Sequence, residues 1–152
     1  MKRRIPLLLA AAFLLCVSFN ASAQSGNLVS RLNASHDGCG CYFSFNQSDY
    51  KKSKLIFFAS IVEENDIWVG IDGRDVKLKL VSRVEPKGRE RVGSRTTEKY
   101  SAAGVTVTLI RTATWVCPPR DESCEVTKYS AVFTVTKGKR KQVVRAVGEC
   151  GC

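Results

Sequence analysis

Six of the seven cysteines set the strongest limit on how this chain can fold, because they stand in three close pairs. Cys39-Gly40-Cys41 and Cys150-Gly151-Cys152 are C-x-C doublets, and Cys117 and Cys124 bracket a polar segment that contains two prolines. An even number of cysteines in an exported chain indicates disulfide bonds. The spacing therefore predicts a small domain held together by covalent cross-links.

Residues 1–23 are typical of a cleavable secretory signal peptide. Positive charge from Lys2 to Arg4 precedes an apolar run that ends at Val17, and Ala21-Ser22-Ala23 is a small-x-small cleavage site. A membrane helix needs about 20 apolar residues, and no later segment approaches that length. We therefore expect an exported protein, periplasmic or secreted, with no transmembrane helix in its mature chain.

Cleavage after residue 23 would remove three basic residues and one cysteine. The 129 residues that remain carry 21 basic and 14 acidic side chains, a net charge of +7, and six cysteines. The full chain is 44% hydrophobic, which is enough for a packed core and argues against global disorder.

Geometry limits how the six cysteines can pair. Residues i and i+2 of a strand lie about 6.5–7 Å apart, whereas the Cβ atoms of a disulfide lie about 3.5–4.5 Å apart, so a doublet rarely bonds to itself. We expect Cys117 to bond Cys124 and the doublets to bond each other on neighbouring first and last strands. Two pairings remain open: Cys39 with Cys152 and Cys41 with Cys150, or Cys39 with Cys150 and Cys41 with Cys152.

The two doublets also allow a different chemistry. Four thiolates from Cys39, Cys41, Cys150 and Cys152 could hold Zn²⁺ or Cu⁺. Structural zinc sites usually show C-x₂₋₄-C spacing, however, and an oxidising compartment favours disulfides. We predict no metal site and no cofactor, and keep a thiolate metal-binding protein as an alternative.

The mature chain divides into a polar flexible arm at 24–38 and a single β domain at 39–152. Hydrophobic residues alternate with a period of two over most of that domain, as in Val76 to Ser82, and no stretch has a helical stripe. Asp72-Gly73 is a signal for a two-residue type I′ hairpin. About seven closely spaced strands predict an all-β fold, a small disulfide-stapled antiparallel barrel or sandwich with meander connections. Residues 86–99 interrupt the pattern and predict a polar, basic loop.

Positive charge concentrates in two regions of the sequence, the predicted loop and the last hairpin. A surface of this kind favours anionic partners such as envelope polymers or lipid head groups. Nucleic acid is disfavoured, because the chain is exported and no aromatic-plus-basic motif occurs. The candidate anion-binding residues are Lys87, Arg89, Arg91, Arg95, Lys137, Lys139, Arg140, Lys141 and Arg145.

Acidic residues flank the predicted strand Ile67 to Ile71 at both ends. Two carboxylates could form an acid/base pair, but turn and loop roles explain these positions better. We therefore predict no catalytic residue and no enzymatic activity. The residues concerned are Glu63, Glu64, Asp66, Asp72 and Asp75.

These features favour a non-enzymatic binding module for an anionic component of the cell envelope. The alternative is an inhibitor or chaperone-like partner of another envelope protein, which would use a loop of the stapled domain.

Overall fold

The computed structural model describes residues 26–119, 121 and 123–152, so the predicted signal peptide lies outside the described residues. This part of the chain forms nine strands and one four-residue helix, α1 (Gln47–Tyr50), and none of its helices is long and apolar enough to cross a membrane. The strands are β1 (Gly40–Ser44), β2 (Phe57–Ser60), β3 (Ile67–Ile71), β4 (Arg74–Lys77), β5 (Lys79–Val84), β6 (Arg95–Ala102), β7 (Val105–Trp115), β8 (Val126–Lys137) and β9 (Arg140–Gly151).

All nine strands belong to one antiparallel sheet in the order β4-β3-β2-β1-β9-β8-β7-β6-β5. Leu78 alone separates β4 from β5, so the stretch 74–84 pairs first with β3 and then with β6. The two borders of the sheet therefore belong to one continuous segment, and the sheet curls into a nearly closed barrel. This confirms the predicted all-β fold and decides for the barrel over the sandwich.

Because hydrogen-bonded neighbours in the sheet run in opposite directions, the barrel has two distinct ends. The disulfide end holds the β2–β3, β5–β6 and β7–β8 connections, together with the start of β1 and the close of β9. The turn end holds the β3–β4, β6–β7 and β8–β9 turns. The predicted Asp72-Gly73 hairpin lies at the turn end and is confirmed, because both residues have positive φ, 50° and 73°, and Ile71 pairs with Arg74.

Three disulfides lie at the disulfide end. They join Cys117 to Cys124, Cys39 to Cys152 and Cys41 to Cys150. Strand β1 pairs antiparallel with β9, and Cys41 lies directly opposite Cys150 with their Cα atoms 4.0 Å apart. The first of the two open pairings is thus the one observed. Each cysteine of one doublet is bonded to a cysteine of the other doublet. These disulfides remove the free thiolates that the metal-binding alternative requires.

Aromatic side chains fill the middle of the barrel. The ring of Phe57 lies 5.3 Å from that of Phe133 and 5.4 Å from that of Tyr100, and Phe43 lies 5.6 Å from Phe133. All four side chains are almost fully buried. Close aromatic pairs of this kind add stability beyond the area that they bury.

The described part of the polar arm 24–38 lies along the barrel instead of extending freely. Leu28 and Val29 are each 2% exposed and join the core. The amide of Ser30 donates to the carbonyl of Gly70 (2.9 Å), and the amide of Leu32 donates to that of Leu55 (2.7 Å). Buried apolar side chains and backbone hydrogen bonds together hold this segment against the barrel.

Two elements depart from the sequence pattern. The predicted loop 86–99 ends early, because β6 begins at Arg95. Residues 96, 98 and 100 of β6 face inward and are buried, but two of them are Thr96 and Glu98, so the alternation is invisible in hydrophobicity. Helix α1 is short and is capped at its N-terminus by Asn46, whose side chain accepts a hydrogen bond from the amide of Asp49.

Candidate functional site

The β5–β6 loop, residues 85–94, forms an open cleft at the disulfide end. Four of the nine predicted anion-binding residues line this cleft: Lys87, Arg89, Arg91 and Arg95. All four are exposed, and in the described part of the chain none of them forms a salt bridge. The cleft therefore presents four unpaired positive charges.

Hydrogen bonds to the barrel hold the base of this loop. The amide of Gly93 donates to the carbonyl of Ala113 (2.8 Å), and the amide of Ala113 donates to the carbonyl of Ser94 (2.9 Å). The hydroxyl of Ser94 accepts from the amide of Arg91 at 3.0 Å. These hydrogen bonds fix the backbone at the base of the loop that carries the cationic side chains.

Glu90 is the acidic residue within the basic run; it lines the cleft together with the four cations, and its carboxylate is hydrogen-bonded to the barrel. The phenol of Tyr129 donates to its carboxylate at 2.9 Å. Burial raises the pKa of Tyr129 to about 12, although the nearby guanidinium of Arg111 acts to lower it. The hydrogen bond from the phenol fastens the loop to the barrel.

An ionic cluster centred on the buried Glu98 joins β5, β6 and β7, and the sequence pattern did not reveal it. The Glu98 side chain is 3% exposed; its carboxylate accepts from Arg83 Nε at 2.8 Å and lies 3.6 Å from Arg111 Nε. Burial, together with the Glu98 carboxylate, raises the pKa of Tyr100. A buried carboxylate is stable only when it is paired and hydrogen-bonded, and two arginines supply that pairing here.

Arg111 connects this cluster to the disulfide end. Its Nη1 lies 2.6 Å from the sulfur of Cys150 and 3.2 Å from that of Cys41, and its guanidinium lies 4.9 Å from the centre of the Tyr129 ring. Arg111 has the same parity along β7 as the buried Val107 and Leu109, so the period of two places it inside the barrel. That parity is the signal that could have identified it.

The second basic region lies at the opposite end of the barrel. Lys137 Nζ and Arg140 Nη1 each lie 2.8 Å from an oxygen of Asp72, and together they fasten the β8–β9 turn to the β3–β4 turn. The hydrogen bond from Lys137, with further contributions from Arg140, lowers the pKa of Asp72. Lys139, Lys141 and Arg145 are exposed on the turn and on β9.

In the strand register Arg95 lies level with Ser130 of β8, which is seven residues, roughly 23 Å, from Lys137. Arg145 pairs with Val132 and lies between the two ends on β9. The cleft and the β8–β9 turn are therefore too far apart for one small ligand to contact both. The structure brings together the first four candidate residues and leaves the other five as a separate surface.

The acidic residues around β3 make separate contacts. Asp66 accepts from Trp68 Nε1 at 2.7 Å, and Asp75 accepts from the amides of Asn33 and Ala34 at 2.8 Å. Glu63 and Glu64 are exposed on the β2–β3 connection. Asp72 binds the last hairpin, as described above. The contacts of Asp66, Asp72 and Asp75 therefore hold turns or the N-terminal segment in place.

Comparison of the chain with protein-family models, with curated proteins and with solved structures gives no match. The geometry of the described residues is therefore the basis for a functional proposal.

Proposed function

We propose that this chain is an exported, non-enzymatic binding module whose β5–β6 loop binds an anionic component of the cell envelope. The observation that carries the proposal is the convergence of Lys87, Arg89, Arg91 and Arg95 on one open cleft without salt-bridge partners in the described part of the chain. Three disulfides are in keeping with an oxidising compartment.

The composition of the cleft favours a ligand with several phosphate or carboxylate groups. Three of the four cations are arginines, whose planar guanidinium groups bind such anions through two parallel hydrogen bonds. Exposed charges around an open cleft suit a polymer or a surface better than a small molecule, which would need enclosure.

The turn end is a weaker candidate. Two of its five predicted cations already neutralise Asp72. Binding an anion there would compete with the contacts that join the two turns.

Binding to lipopolysaccharide micelles and to vesicles containing anionic phospholipid tests the proposal and separates polymer from lipid head groups. The variant Lys87→Gln/Arg89→Gln/Arg91→Gln should bind about 30-fold more weakly, since each exposed ionic contact contributes about 0.7 kcal/mol. Because these contacts are screened by salt, the affinity of the unmodified protein should fall steeply between low and physiological ionic strength.

The matched control is Lys139→Gln/Lys141→Gln/Arg145→Gln, which removes the same charge from the β8–β9 turn and strand β9. We expect its affinity to change by less than threefold. Equal weakening by the two variants would show that net charge alone attracts the ligand. Binding that ignores both salt and the loop variant would refute the proposal.

A further inference from the structure

Strand β5 leaves one border of the barrel unpaired. It is the terminal strand of the sheet and pairs with β6 alone, and all six of its residues are exposed. In the described part of the chain, no backbone hydrogen bond links residues 79–84 to any segment other than β6. The outward N–H and C=O groups of an edge strand are a template for another strand.

This edge of β5 is unpaired because β5 extends beyond the start of β3. The last bond of this segment to β3 runs from the amide of Leu78 to the carbonyl of Ile67 (2.8 Å), and β3 begins at Ile67. Beyond that point β5 continues beside β6 for six residues with no neighbour on its other side.

The side chains of β5 suit a specific partner. Leu80, Val81 and Val84 are 40%, 63% and 67% exposed, which gives the edge an apolar surface. Lys79 and the irregular register at Val81 are features that protect edge strands from indiscriminate pairing. A partner must therefore match the charge as well as the hydrogen-bonding pattern.

Charge distinguishes between the occupants. Residues 77–84 contain Lys77 and Lys79, which form no salt bridge in the described part of the chain, as well as Arg83, which pairs with Glu98, and they contain no acidic residue. A second copy of this chain pairing through β5 would bring two such basic segments together, and like charges on adjacent strands are destabilising.

We propose that the β5 edge binds an extended, acidic segment of a partner protein by strand addition. Backbone hydrogen bonds would supply affinity, and acidic residues alternating with apolar ones would supply specificity toward Lys79 and the exposed apolar side chains. This interaction is independent of anion binding in the loop cleft, because it uses the backbone of another element.

Fluorescence anisotropy with a labelled peptide of four Val-Glu repeats tests the proposal on the oxidised protein. We expect binding at least tenfold tighter than that of a Val-Lys peptide, together with slower hydrogen exchange at residues 79–84. Two further peptides, N-methylated at all valines or at all glutamates, block one hydrogen-bonding edge each. One should lose binding and the other should retain it.

The variant Lys79→Glu should weaken binding of the Val-Glu peptide at least fivefold, whereas Lys139→Glu at the turn end should change it less than twofold. Equal binding of the two N-methylated peptides, or of the Val-Glu and Val-Lys peptides, would overturn strand addition by an acidic segment. A dimer in sedimentation equilibrium with protected β5 amides would identify a second copy as the occupant and overturn the proposal equally.

Discussion

A single buried glutamate, Glu98, contributes to the failure of the sequence pattern to predict strand β6. Glu98 occupies an inward position of β6 where a barrel usually places an apolar side chain, and Arg83 and Arg111 pair with it. Polar residues on both faces of a strand are typical of a loop, so the pattern over 86–99 predicted one. The strand exists because its inward charge is neutralised by residues of β5 and β7, which the sequence places 15 and 13 residues away.

We expect Glu98→Gln to destabilise the fold by about 3–5 kcal/mol, because it leaves the mostly buried Arg111 charge without its counter-ion. Urea unfolding measures the change. Glu64→Gln on the exposed β2–β3 connection is the control and should stay within about 0.5 kcal/mol. A similar small effect at Glu98 would mean that the ion pair contributes nothing to stability.

At the scale of elements, close packing of backbones decides where the N-terminal segment lies. Gly70 in β3 has no side chain, and the carbonyl of Ser30 occupies the space that a Cβ atom would take. The sequence shows a glycine inside an apolar strand, which indicates close approach of another backbone. It does not show that residues 28–34 are the segment that approaches.

Replacing Gly70 with alanine should displace this segment. We expect a loss of about 1–3 kcal/mol from overpacking and faster hydrogen exchange at the Ser30 amide, which bonds to the Gly70 carbonyl. Gly26→Ala is the matched control, because nothing lies within 4 Å of the added Cβ and its backbone needs no left-handed conformation. Unchanged exchange at Ser30 in the Gly70 variant would contradict the proposed contact.

At the scale of the whole molecule, the two doublet disulfides close the same long loop. Cys39–Cys152 and Cys41–Cys150 span 113 and 109 residues. While either bond remains, the other closes only a short additional ring. In the chain-entropy model each single removal then costs about 2 kcal/mol, and removing both costs about 7 kcal/mol.

Urea unfolding of three alanine variants tests this coupling: the Cys39/Cys152 pair, the Cys41/Cys150 pair and all four together. The quadruple variant should lose about 2–3 kcal/mol more than the sum of the two pairs. If the losses of the two pair variants simply add up to that of the quadruple variant, closing the long loop does not stabilise the protein through the entropy of the unfolded chain.

The sequence by itself determined the β class, the Asp72-Gly73 hairpin and a choice of two pairings for the doublets, because these depend on spacing and local backbone geometry. Only the tertiary structure selected Cys41 with Cys150: antiparallel neighbours bring the inner cysteines together, whereas the crossed pairing requires parallel strands. Only the tertiary structure separated the basic residues into two groups and left one edge of β5 unpaired. Those features depend on which distant strands become neighbours and on how far each one extends, and no local pattern carries that information.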